Sequence, residues 1–240
     1  LDLGPQQLWA AIIRRHYRPI FPSTSGRFNY LVECGRWWRT HHRYDYATMK
    51  TIHFLSGLPR SGSTVLAGIL NQHPSVYASS TSGLLDMLVG TLTAWSDSLS
   101  VKAAIDQKES EKEIQRILGT ICDEKYSRID KPVILDKARS WASSTNISTM
   151  TKILGAPPKI IATVRSIPDC VASMVRVAKP DNLDDFLRTS ELVGHIKESY
   201  QNLEGGYRQS PESILFVEYD DLINEPQVQL DRVHDFLELP

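Results

Sequence analysis

The sequence lacks most of the marks of the specialised protein classes. No apolar run approaches the roughly 20 residues that cross a bilayer, so no membrane span is expected. Its three cysteines, Cys34, Cys122 and Cys170, show neither metal-ligand spacing nor a paired framework. Reduced thiols in a cytoplasmic protein are the expectation that follows. With a formal net charge of -1, the chain lacks the basic excess of a general nucleic-acid binder. Residues 1–13 have no basic start and no continuous apolar segment, so a secretory leader is not expected. Neither an internal repeat nor a low-complexity tract occurs. What is left is an ordinary composition, 41% apolar and 23% charged over 240 residues, ample for one domain with a buried core.

Eight residues organise that chain: Gly57, Leu58, Pro59, Arg60, Ser61, Gly62, Ser63 and Thr64. Residues 51–56 ahead of them read as a short apolar strand. Behind them, Val65, Leu66, Ile69 and Leu70 share one helical face. A strand, a glycine turn and a helix start form an anion site, because free backbone N–H groups and the helix dipole point at the turn. The glycine spacing is that of a P-loop, but Ser63 stands where a nucleoside triphosphatase carries lysine. Arg60 supplies a cation from inside the loop instead. Such a loop suits a bisubstituted 5′ phosphate without requiring a metal; a simple tight turn is the bland alternative.

The rest of the chain alternates strands and helices. Strands are expected at residues 75–78, 132–135, 159–165 and 214–219. Helices are expected at 84–95, at 109–126, from 168, over 183–203 with a stop at Gly205 and Gly206, and from 226. This order predicts an α/β fold of the three-layer P-loop kind, a central parallel sheet with helices on both faces. Residues 49–240 would form that domain. Residues 1–48, crowded with tryptophan and arginine around Trp37 and Trp38, read as an appended segment.

Ligands of such sheets bind beyond the carboxyl ends of the strands. Arg60, Lys137 and Arg165 all follow strand ends, which is hard to ascribe to chance. A second constellation runs from Arg165 into the next helix, where Ser173 and Arg176 stand at i and i+3. Arginine can grip a phosphate with forked hydrogen bonds and serine can add another. Solvation of a helix face explains the same arginines equally well.

Together these stretches resemble the sulfotransferases that use 3′-phosphoadenosine 5′-phosphosulfate (PAPS). Residues 57–64 are similar to the family's 5′-phosphosulfate loop, in the form found in tyrosylprotein sulfotransferases and their bacterial relatives. Arg165 and Ser173 match the pair that binds the donor's 3′ phosphate. Residues 217–222, Glu225, Pro226 and the final Phe-Leu-Glu-Leu-Pro resemble the family's last strand and closing helix, which would place Tyr219 near the adenine. Asp136 and Lys137 resemble the pair whose lysine contacts the bridging oxygen and sulfuryl group. The likeness covers about residues 50–240.

It implies in-line transfer of a sulfuryl group from PAPS to a hydroxyl acceptor, a small molecule or a peptide tyrosine. Arg60, Ser61, Gly62, Ser63, Thr64, Arg165, Ser173 and Tyr219 would hold the donor. Lys137 and Arg60 would stabilise charge at the sulfur, with no metal involved. The base is where the chain departs from the family. Ser80 and Thr81 stand where the tyrosylprotein branch has glutamate, and Ala138 and Arg139 follow Lys137 where others have histidine. Asp86 is named as base, against a plain solvated acid; Asp136 is a second candidate, though orienting Lys137 suits it better. Residues 18–28 resemble a tail motif of bacterial members, so that Ser25 and Arg27 would sit near the donor. A kinase-like P-loop phosphotransferase and a catalytically silent nucleotide-binding adaptor remain as alternatives. Neither acceptor identity nor oligomeric state is written in the sequence.

Overall fold

Each central strand is apolar on both faces, which demands cover on both sides. The computed structural model describes residues 50–103 and 106–239. Five parallel strands form one sheet in the order β2-β3-β1-β4-β5. They are β1 (Thr51–Gly57), β2 (Val76–Ala78), β3 (Val133–Lys137), β4 (Ile160–Val164) and β5 (Ile214–Glu218). The central register pairs Leu55 with Lys137 on one side and with Ile161 on the other.

Ten α-helices occur among the described residues: α1 (Ser63–Leu70), α2 (Leu84–Asp97), α3 (Leu99–Lys102), α4 (Gln107–Lys125), α5 (Ser144–Leu154), α6 (Ile167–Ala178), α7 (Leu183–Thr189), α8 (Glu191–Gln209), α9 (Tyr219–Asn224) and α10 (Pro226–Leu237). Successive residues of β1 serve opposite layers. Phe54 packs with Leu84, Leu118, Ile147, Met174 and Leu203, from α2, α4, α5, α6 and α8. Leu55 packs with Leu66, Leu70, Leu222, Val233 and Leu237, from α1, α9 and α10. Burying one such side chain stabilises the fold by about 1.5–3 kcal/mol. The expected three-layer α/β architecture is therefore the one found.

The structure redraws the helix expected over 183–203 and adds three helices, α3, α5 and α9, the last of which takes Tyr219 from the expected strand end. The stretch expected as a single helix over 183–203 is two, because Ser190 ends α7 and its hydroxyl accepts from the N–H of Leu192 to start α8. Nor does α8 stop at its glycines. A Cβ on Gly206 would lie 1.9 Å from the carbonyl oxygen of Ala142, so glycine there lets α8 pack against the chain entering α5. That helix, α5, is rich in serine and threonine and gives a weak helical signal. It forms because Ser143 caps the N–H of Asn146 at 3.2 Å and Ile147 and Met150 are buried. The appended segment, with Ser25 and Arg27, lies outside the described residues.

Candidate active site

The loop after β1 owes its shape to two glycines and a buried serine. Gly57 has φ +139°, and a Cβ there would sit 2.4 Å from the carbonyl oxygen of Thr163. Gly62 has φ +91°, and a Cβ would sit 2.5 Å from Cδ2 of Tyr219. Both positions need glycine, for backbone conformation and for close approach. Ser61 is fully buried. Its hydroxyl lies 2.6 Å from the Leu58 carbonyl, 2.9 Å from the Thr163 carbonyl and 2.7 Å from the Thr163 hydroxyl. Its backbone N–H turns back to Leu58. Expected beside the donor, the Ser61 side chain makes its hydrogen bonds inside the protein and pins the loop to β4.

The groups that face outward differ. Gly62 caps α1 without a side chain to close its first turn, and no acid stands in that turn. The leading N–H groups of Ser63 and Thr64 are thus left to an anion. Arg60 holds a left-handed backbone, φ 66°, which costs a non-glycine residue about 1–3 kcal/mol. That conformation sends its side chain across to α6, where Nε donates to the Ser173 hydroxyl at 3.1 Å. Two motifs 113 residues apart thereby meet.

Arg165, at the end of β4, lies 4.2 Å from the centroid of the Tyr219 ring, a cation–π distance. Its Nε is buried and has no hydrogen-bond partner among the described residues. A buried guanidinium N–H of this kind calls for an acceptor. Arg176, the other arginine of that constellation, is exposed and does not line the cavity.

Lys137 completes the arrangement from β3. Its backbone N–H donates to the Ser79 hydroxyl at 2.9 Å and its carbonyl accepts from Ser82 at 3.1 Å. Its ammonium reaches the Thr64 hydroxyl at 3.1 Å. Burial, and then the charge of Arg139, hold the ammonium below the ordinary lysine range. Asp136 points the other way, fully buried. One of its oxygens accepts from Trp141 Nε1 at 2.8 Å and the other from the Tyr126 hydroxyl. Tied in this manner, Asp136 has no access to an acceptor, which removes it as a base and leaves it to anchor the strand end beneath Lys137.

Arg60, Gly62, Thr64, Lys137, Arg165 and Ser173, with Ser63 and Tyr219 beside them, line one cavity of about 480 Å³. No carboxylate among the described residues lines it. A second cavity of about 330 Å³ shares Lys137, Arg139 and His195 with the first and adds Asp86 and Glu198. Asp86 is exposed, in the first turn of α2, and lines this second cavity but not the first.

The α8 wall of this second cavity is what sequence reasoning missed. His195, Glu198, Ser199 and Asn202 stand at i, i+3, i+4 and i+7 on α8, and all four line it. A stripe of histidine, serine and asparagine at helical spacing was the available signal. Arg139 Nη1 lies 3.1 Å from His195 Nδ1. Guanidinium can only donate, so Nδ1 accepts and the neutral ring carries its proton on Nε2. His195 thus offers a donor to the cavity.

The model of the sulfotransferase family matches residues 53–240. This chain belongs to the sulfotransferase family. Among curated proteins, no sequence matches it. Solved structures of similar fold include the sulfotransferase domain from the curacin biosynthetic pathway, at TM-score 0.52 and 22% identity, covering 81% of this chain and 76% of that one. The sulfotransferase domain of the Synechococcus PCC 7002 olefin synthase aligns at TM-score 0.50 and 20% identity, covering 81% and 75%. A Mycobacterium tuberculosis H37Rv sulfotransferase aligns at 0.51 and 13%, covering 88% and 73%. At such identities the structures establish the fold. The family points to sulfuryl transfer as the general chemistry of this sulfotransferase. No helix among the described residues is long and apolar enough to cross a membrane.

Proposed function

We propose that this chain moves a sulfuryl group from PAPS to a hydroxyl acceptor. The observation that carries the reading is the convergence of Arg60, Lys137 and Arg165 on one cavity in which no described carboxylate neutralises them. Cations so placed favour an anionic ligand. The residues fit a nucleotide with phosphate at both ends. The loop and the start of α1 would take the 5′ end, while the unpartnered Nε of Arg165, with Ser173, would take the 3′ phosphate. The tight approach of Gly62 to Tyr219 leaves that ring to flank the base.

When bound, the donor supplies an activated sulfuryl group. Lys137 then stands where charge grows on the sulfuryl and bridging oxygens, and Arg60 shares that task from the loop. The anchoring of Asp136 by Trp141 and Tyr126 holds Lys137 in place before the reaction begins. An acceptor hydroxyl entering through the second cavity would meet Asp86, which we assign as the base. Thr64, whose counterpart in P-loop triphosphatases binds magnesium, has the Lys137 ammonium against it, so the chain itself supplies positive charge there.

The test is incubation with sulfur-35-labelled PAPS and a panel of alcohols and phenols, in parallel with labelled ATP and magnesium. Label transferred from PAPS alone supports the reading. Transfer from ATP alone replaces it with a phosphotransferase. Tight binding of adenosine 3′,5′-diphosphate with no transfer to any acceptor would make the chain a nucleotide-binding adaptor.

A further inference from the structure

We infer that the second cavity selects a hydrophilic hydroxyl compound bearing an ammonium group, in preference to a neutral alcohol or a plain phenol. The inference rests on the sulfotransferase reading above and adds the class of acceptor. The cavity is walled by α2, the turn after β3 and one face of α8. Its carbon surface is scant, with Leu85 and Ala138 the apolar side chains among the twelve described residues that line it. A flat aromatic acceptor gains affinity by burying its ring against apolar walls. Here the ring would strip water from Glu198 and return no hydrogen bond to it, a poor exchange.

Charge points the same way. Lys137 and Arg139 face both cavities, so a donor anion would offset them from its own side. Asp86 and Glu198 line the second cavity alone, and neither is held in an ion pair or side-chain hydrogen bond among the described residues. One carboxylate suffices to take the hydroxyl proton. The other would face the acceptor as a fixed negative charge.

An independent observation comes from Ser199. It is 3% exposed and lines this cavity. No hydrogen bond engages its hydroxyl among the described residues, unlike Ser148 and Thr149, whose hydroxyls donate back to the carbonyl four residues earlier. With its oxygen open to the cavity and no protein partner among the described residues, this hydroxyl is suited to a polar ligand group. The acceptor oxygen would form the new bond to sulfur as the sulfur–oxygen bond to the leaving diphosphate breaks. Its proton would pass to Asp86, and its ammonium would rest against Glu198, with Ser199 and Asn202 bonding its polar substituents.

Equilibrium binding to the complex with adenosine 3′,5′-diphosphate tests this without needing turnover. Two pairs serve as probes, glucosamine against N-acetylglucosamine and tyramine against N-acetyltyramine, each differing in one positive charge. The ammonium member of each pair should bind about fivefold more tightly, the upper range for a partly exposed ion pair. Glu198→Gln should bring that ratio close to one, and Ser199→Ala should weaken both members of the sugar pair while keeping the ratio. Nucleotide affinity should not change in either variant. Equal or tighter binding of the neutral members, or no binding of either ammonium compound, overturns the inference while leaving the donor reading intact. Failure to bind the nucleotide sinks the donor reading itself, and is seen separately in the same titrations.

Discussion

The two ends of the sheet handle charge in opposite ways. At the amino end, Lys159 pairs with Glu238 at 2.7 Å, and the rings of His73 and His234 meet edge to face. His53 beside them is buried and kept neutral, its pKa lowered to about 4 by burial and then by Lys159. At the carboxyl end, Arg60, Lys137 and Arg165 converge, and none is held in an ion pair among the described residues. One end is settled within the chain. On the proposed reading, the other would be settled by an incoming anion.

The sharpest contrast should come from Lys137→Ala. It should slow transfer by about 100- to 1,000-fold, the loss seen when a preorganised charge-stabilising group is removed. Donor affinity should fall far less. Single-turnover rates set beside calorimetric affinities separate the two effects, and equal small changes in both would erase the distinction between Lys137 and its neighbours.

Next in size is a stability effect at the amino end. The folded His53 pKa of about 4 lies below an unfolded value of about 6.5, so the unfolded chain takes up its proton first. Stability is then full above about pH 6.5 and declines as pH falls toward 4. By pH 4.5 the loss reaches about 2–3 kcal/mol. Denaturant titrations of His53→Asn should show a shallower decline between pH 7 and 4.5, with nucleotide binding at pH 7 unchanged. A decline as steep as in the parent protein would show that other groups govern acid sensitivity.

Arg165→Ala should cost donor affinity about 2 kcal/mol, or roughly 30-fold, the worth of a charge-assisted hydrogen bond. Its effect on the rate of bound donor should be slight. Gly62→Ala comes last. The left-handed backbone costs about 1–2 kcal/mol of stability, and the new Cβ would press on Tyr219. Thermal unfolding should show that loss together with weaker nucleotide binding; an unaltered protein would mean that the approach of loop to ring is dispensable.

The parts visible in the sequence were those with a local signature. The strand, glycine loop and helix around residues 51–70 lie in one contiguous stretch, and so do the apolar strands at β3 and β4. The meeting of Arg60 with Ser173, and of Lys137 with Thr64, could be expected only through family resemblance, since those contacts span 113 and 73 residues. Ser61 could not be told from an outward-facing hydroxyl, because its commitment to Thr163 depends on how β1 and β4 align. Asp136 became distinguishable from a free acid only once Trp141 and Tyr126 were seen to grip it. The polar stripe of α8 lay inside the helix expected over 183–203, but that its face meets the turn after β3, 56 residues away, could not be read from the sequence. Gly205 and Gly206 carry the local signature of a helix stop, yet α8 runs on to Gln209 and Gly206 serves close packing against Ala142.

One titration bears most directly on the convergence of cations at the carboxyl end. Adenosine 3′,5′-diphosphate and adenosine 5′-phosphate are each titrated calorimetrically into the parent protein and into Arg165→Ala. The parent should favour the diphosphate by at least tenfold, and the substitution should remove most of that preference. Identical affinities for the two nucleotides in the parent, or a preference that survives without Arg165, would contradict the assignment of that guanidinium to a second phosphate.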